Sequence, residues 1–396
     1  MSARGAMLFI VVVACADDGS SGTDGDVTSS PDETGDTPSE VGDTTSEVDD
    51  TTSEVTPDVE PVDDWLDLVG RYNLLVTVAG RGQQRDEGVE WSPLYEGGEA
   101  RACELSRPHM AMGDAAGNIY IADKEAHAVR RVSPVGVVTT VAGTNVPGDD
   151  GDEPGPGAER RLGNPNGLWV REDGVVFILD LDNGKVRRLA IDGTMTTLFA
   201  VPGGIDTGRG LWVADDEREA FVASGDEVLR WQADLGVSVY SRGFASLANL
   251  VKDPDGHLVV TDRGAHRVFR LDADGGATPI AGNGTTTGGG DGALATETGL
   301  DEPRAVWFRD SGGFFVGTHE GNQLWYVDAQ GVIHLALDGG DNHAHGGDGL
   351  FFRAPGEKVS EVRAVTIDPL GRILVTENDY GYVRAILPAG WTGWPL

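Results

Sequence analysis

The sequence predicts an all-β fold: a six-bladed β-propeller closed by an N-terminal strand and preceded by a disordered acidic tether. Three observations carry that expectation. One phrase (apolar strand, Asp/Gly turn, apolar strand, polar loop, third strand) recurs about every fifty residues, at 109–132, 167–189, 210–231, 249–271, 305–327 and 364–386. No helical periodicity interrupts it, and a strand-only repeat of this length is the pattern of a propeller. The sixth copy lacks a fourth strand, and a strand of the missing kind, LLVTVAG at 74–80, stands ahead of the first copy.

Taken in chain order, residues 1–14 read as a signal peptide: Arg4, then a short apolar run, then Cys15. The run is too short to span a bilayer. Val12-Val13-Ala14-Cys15 resembles a bacterial lipobox, which implies acylation of Cys15 and a place in the bacterial cell envelope. Ala16 after the cysteine points to the outer membrane or cell surface. Residues 15–64 form a linker in which positions 16–64 hold no Lys or Arg and many Asp and Glu. A segment of one charge sign and low apolar content cannot build a core, so a solvated tether is expected. The propeller is assigned to 65–396, with Cys103 as its only thiol, so its stability must come from its core. The net charge of −35 argues against nucleic acid and against direct adsorption to an anionic membrane. Contact with the membrane is expected only through the lipid anchor, and the protein is expected to be a monomer.

Within the repeats, five copies continue into a fourth strand, at 137–143, 194–200, 237–243, 276–282 and 332–339. Closure of the sixth blade by 74–80 would leave no unpaired terminal edge. Asp123, Asp180, Asp262 and Glu377 end second strands, and an Arg-Val or Val-Arg pair recurs at Val129-Arg130, Val186-Arg187, Arg267-Val268 and Val383-Arg384. With GNIYIAD at 117–123, these features resemble the NHL repeat over 74–387, of the bacterial and teneurin type, blade three being degenerate. The resemblance implies a fold. One fold hosts many activities, so it does not imply one function.

Strand alternation puts the long connectors 81–107, 144–165, 283–303 and 339–361 on one face and tight turns such as Asp255-Gly256 on the other. Long loops on one face of a ring suggest a binding face. With Pro108, Pro165 and Pro303 as register marks, His109, Asn166, Arg209, Arg304 and Arg363 should ring the channel mouth there. Guanidinium groups in that ring would suit an anionic or carbonyl-rich ligand. The competing expectation is structural, each arginine pairing with an acid that ends a second strand. Trp169, Trp212 and Trp307 share one register of the first strand, where they either pack between blades or line the channel.

Catalytic sets are not legible. Gluconolactonase-like lactonases share this architecture, and NPNG at 164–167 resembles one of their metal-bearing segments, which would carry over to Asn166. The arginines at the other mouth positions oppose a cation. The amidating lyases of the NHL family imply a histidine-held zinc, for which only His109 stands at a mouth position. No cofactor is expected. The metal candidates are calcium at Asp149, Asp150 and Asp152, and a two-histidine contact at His343 and His345. The expectation is therefore a lipid-anchored, non-catalytic binding or interaction module for a protein, a glycan or a small anionic ligand. The alternatives are an extracytoplasmic hydrolase or lyase with its site at the channel mouth, and a structural envelope component.

Overall fold

The computed structural model describes residues 64–82, 91–340 and 345–395. The signal segment, Cys15, the linker to residue 63 and His343 lie outside the described residues. Six antiparallel sheets form the blades of a propeller. Blade 1 runs Pro108–Gly113, Ile119–Asp123, Ala128–Val132 and Val138–Ala142. The first strands of blades 2 to 6 are Pro165–Val170, Leu211–Val213, Leu247–Lys252, Pro303–Phe308 and Val362–Ile367. Blade 3, degenerate in sequence, has the shortest of these.

The ring closes as the sequence predicts. Strand Tyr72–Ala79 pairs antiparallel with Tyr382–Pro388, the third strand of blade 6, with Val76 opposite Ala385 and Thr77 opposite Arg384. A single helix, Asp64–Arg71, leads into it. The helix is tied down by Asp64, whose carboxylate accepts from Arg309 (2.8 Å), Ser311 (3.0 Å) and the Tyr326 hydroxyl. Trp65 stacks on His334 and Tyr326. The core lies between neighbouring blades. Val251 and Val259 of blade 4, for example, share a cluster with Val306 and Val316 of blade 5. Every second strand except that of blade 3 is buried at every position, as strands between two packed layers must be.

The long connectors are not free loops. Three carry a 3-10 turn that latches onto the outer strand of the next blade. The N–H groups of Ala100, Gly157 and Ala295 donate to the carbonyls of Gly136, Gly193 and Gly331, each at 2.8 Å. The fourth connector places Leu350–Phe351 beside Leu74 and Leu75 as an extra edge strand. These connectors are straps over blade edges, and a covered edge cannot template aggregation.

Candidate functional site

The acids that end second strands are structural. Asp123 pairs with Arg130 (2.9 Å), Asp180 with Arg187 (2.9 Å) and Glu377 with Arg384 (3.1 Å), all with side chains almost wholly buried. Each also accepts a backbone N–H from the segment ahead of the first strand: Ser106, Gly163 and Ser360 respectively. Blade 4 reverses the basic pair, so Phe269 stands where an arginine would. Asp262 instead accepts from Ala245, Ser246 and Ala265 N–H groups. The expected partnership between these acids and the mouth arginines does not form.

The five mouth residues do meet, and they close the channel. All are buried: His109, Asn166, Arg209, Arg304 and Arg363 are 5–7% exposed. His109 Nδ1 donates to Asn166 Oδ1, and Asn166 Nδ2 donates to the Gly208 carbonyl. Burial, then the Arg209 charge, holds His109 well below its ordinary pKa, so the imidazole is neutral. Arg209 reaches across the ring from blade 3, donating to the carbonyls of Arg363 (3.3 Å) and Arg304 (3.5 Å). Arg304 pairs with Glu302, and Arg363 with Glu361 (3.1 Å) and Asn378 (3.1 Å). Both acids lie two residues before their arginine, at left-handed backbone positions (φ 51° and 30°). Both polar ends of Asn166 are engaged inside the ring, and the neighbouring guanidinium groups oppose a metal of the lactonase kind.

Sequence reasoning missed three members of this plug: Glu302, Glu361 and His319. His319 lies between carboxylates, with Nε2 2.6 Å from Glu361 and Nδ1 2.9 Å from Glu320. Burial and then Arg304 push it down to about 4. Glu302, His319 and Glu320 bring their donor atoms together as a metal site would. Arg304 occupies Glu302, however, and guanidinium groups at this distance oppose a further cation. The visible signal was the spacing Glu-x-Arg at 302–304 and 361–363.

The acids of the candidate calcium loop pair with the protein's own cations. Asp149 pairs with Lys185 and Arg187, both at 2.7 Å, Asp150 with Arg161 (2.6 Å), and Asp152 with Lys185 (2.8 Å). His345 belongs to blade 6: it bonds Glu377 (3.1 Å) and stacks on Tyr382.

The open site lies at the other end. A cavity of about 750 Å³ opens among the tight turns, lined by the ends of first strands and by Asp67, Arg71 and Tyr72. Its floor is aromatic. Trp169 and Trp307, on opposite blades, face each other with centroids 6.1 Å apart, and Trp212 lies 6.2 Å from Trp169. Both sequence readings of these tryptophans hold in part: all three pack against the cores between blades, and Trp169 and Trp307 also line the channel. A ring inserted between two others needs about 7 Å, twice the van der Waals contact of roughly 3.5 Å. The pair therefore forms a platform, not a clamp. Met112, Val251 and Ile367 extend its apolar surface.

No family model matches the chain, and no curated protein matches it. Solved structures do resemble it. A protein of unknown function from Bacteroides thetaiotaomicron superposes with a TM-score of 0.61 at 15% identity, over 80% of this chain and 76% of that one. An auxiliary nutrient binding protein from the same organism gives 0.58 at 14%, over 80% and 77%. A gluconolactonase from Xanthomonas campestris gives 0.52 at 13%, over 81% and 92%. At these identities the likeness is one of fold.

Proposed function

We propose that this chain is a non-catalytic binding propeller that holds a small organic ligand in the tryptophan-floored well. The observation that carries the reading is the well itself. Its volume of about 750 Å³ falls in the range of ligand pockets, and it combines an apolar platform with a polar rim. Its buried carboxylates are engaged elsewhere. Asp253 pairs with Arg270 (2.8 Å) and Asp368 with Arg372 (2.5 Å), and both accept turn amides. A nutrient-binding role for a protein of similar fold agrees with this reading. The lipobox resemblance supports display from the bacterial envelope through Cys15, and no helix among the described residues is long and apolar enough to cross a membrane.

The test is a titration of intrinsic tryptophan fluorescence with a panel of sugars, amino acids and amines. A saturable change that is lost in Trp307→Phe or Met112→Trp supports the well. A ligand whose affinity ignores both substitutions places binding elsewhere. A second reading, a hydrolase or lyase acting at the His319 cluster, draws on the convergence of Glu302, Glu320 and Glu361 there. It predicts a turnover that His319→Gln abolishes.

A further inference from the structure

Blades 2 and 5 carry the same short pattern at the well: Trp169-Val170-Arg171-Glu172 and Trp307-Phe308-Arg309-Asp310. These blades stand opposite each other in the ring, and their tryptophans meet at its centre. Three residues beyond each tryptophan, an exposed acid reaches the rim, Glu172 on one side and Asp310 on the other. The arginines between are already committed. Arg171 bonds Asp173 and Glu217, and Arg309 bonds Asp64 and Asp67. Among the described residues, no side-chain hydrogen bond or ion pair engages Glu172 or Asp310. Asp67, also at the rim, is shared by Arg71 and Arg309.

The third tryptophan of the register shows what this surface holds. The Lys252 ammonium sits 3.7 Å from the centroid of Trp212, with its nearest carboxylate, Glu219, 3.9 Å away. Trp212 is thus occupied by a cation from the chain itself, while Trp169 and Trp307 face the well. A tryptophan face attracts a cation through its quadrupole, more strongly as water is excluded. A concave site rimmed by unpaired carboxylates on a protein of charge −35 concentrates cations and repels anions.

We propose that the well takes an organic cation, a ligand with an ammonium group seated on the Trp169–Trp307 platform between Glu172 and Asp310. This rests on the well being the binding site and specifies the charge of what enters it. It departs from the anionic ligand that the mouth arginines suggested, because those arginines are sealed in the plug.

The test compares choline with its neutral isostere 3,3-dimethylbutan-1-ol, and with glucose, by tryptophan fluorescence on the full chain at low salt. Choline is expected to bind at least tenfold more tightly than the isostere. In the double variant Glu172→Gln, Asp310→Asn that ratio should collapse towards one, with the isostere unchanged. Both positions are exposed, so the fold should survive. Lys252→Gln, which removes a like charge from the lining of the well, should tighten choline, whereas an anion site would weaken towards its own ligand. Equal affinity for choline and the isostere overturns the inference, as does a choline affinity indifferent to the double substitution. Saturation by glucose or the isostere without choline overturns it while leaving the well as the binding site. No saturable response to choline also overturns it.

Discussion

Of the three mouth arginines, Arg209 is the one without a carboxylate partner among the described residues. It donates to two main-chain carbonyls, and burial, then repulsion from Arg304 and Arg263, holds its pKa well below the ordinary arginine value. Replacing a buried ion with an apolar side chain of similar length is often neutral or stabilising, by about 1–4 kcal/mol. Arg209→Met should therefore melt at the same temperature or higher in a calorimeter and bind at the well unchanged. A clear fall in the midpoint would show that its two long carbonyl bonds outweigh its desolvation. His319 gives a pH prediction. Unfolded, the imidazole takes its proton near pH 6.5, but in the fold only near 4. Between those values the unfolded state binds the extra proton, so this group costs stability as pH falls through that window. Glu361, pushed up by burial, offsets part of this. His319→Gln loses contacts at pH 7, yet its deficit relative to the parent should shrink by on the order of 2 kcal/mol by pH 4. Urea titrations at the two pH values measure the gap, and a constant gap refutes the assignment. At this scale the sequence showed which residues meet at the mouth but not who neutralises them. A one-residue choice of partner, Glu302 over the strand-end acids, is decided by backbone turns that no strand pattern encodes.

The strands were the most legible elements. Alternating apolar runs and Asp/Gly turns placed the six blades, and the kinship of LLVTVAG with the other fourth strands placed the closure. Strand Tyr72–Ala79 is the fourth strand of blade 6 and, through Leu75 and Val76, packs into two core clusters. Removal of residues 1–80 should leave a chain without a cooperative thermal transition, whereas removal of 16–63 should leave the transition in place. A sharp melt for 81–396 would overturn the closure argument. The cut must spare Asp64, since its loss strands Arg309 and Tyr326 and should cost about 2 kcal/mol. The connectors were misread for a physical reason. Their Gly- and Asp-rich composition signals turns, and a turn-rich segment reads as a free loop unless its hydrogen-bond partners are known. Here the partners are edge carbonyls far along the chain, at Gly136, Gly193 and Gly331.

The whole molecule puts its seal and its opening at opposite ends. Cys15→Ser should move the protein from the membrane fraction to the soluble fraction without changing its melt. Unchanged membrane association would remove the lipid anchor from the account. The well is not legible in the sequence, because long loops on one face point to binding there, while the cavity is built from the ends of first strands. The tryptophan register was visible, but only the ring geometry shows that two of its members meet on opposite blades.

Because Arg209 and its neighbours seal the far end, the propeller is a cul-de-sac for ligand traffic. Arrival and departure share one doorway, so two molecules cannot pass, and the second can enter only after the first has left. Displacement by excess competitor should therefore proceed at the spontaneous dissociation rate, independent of competitor concentration. A nanobody seated across the tight-turn face should trap a bound ligand as effectively as it excludes a free one. One seated on the strapped connectors should leave both rates untouched, which makes that side the natural handle for immobilising the protein while its exchange is timed.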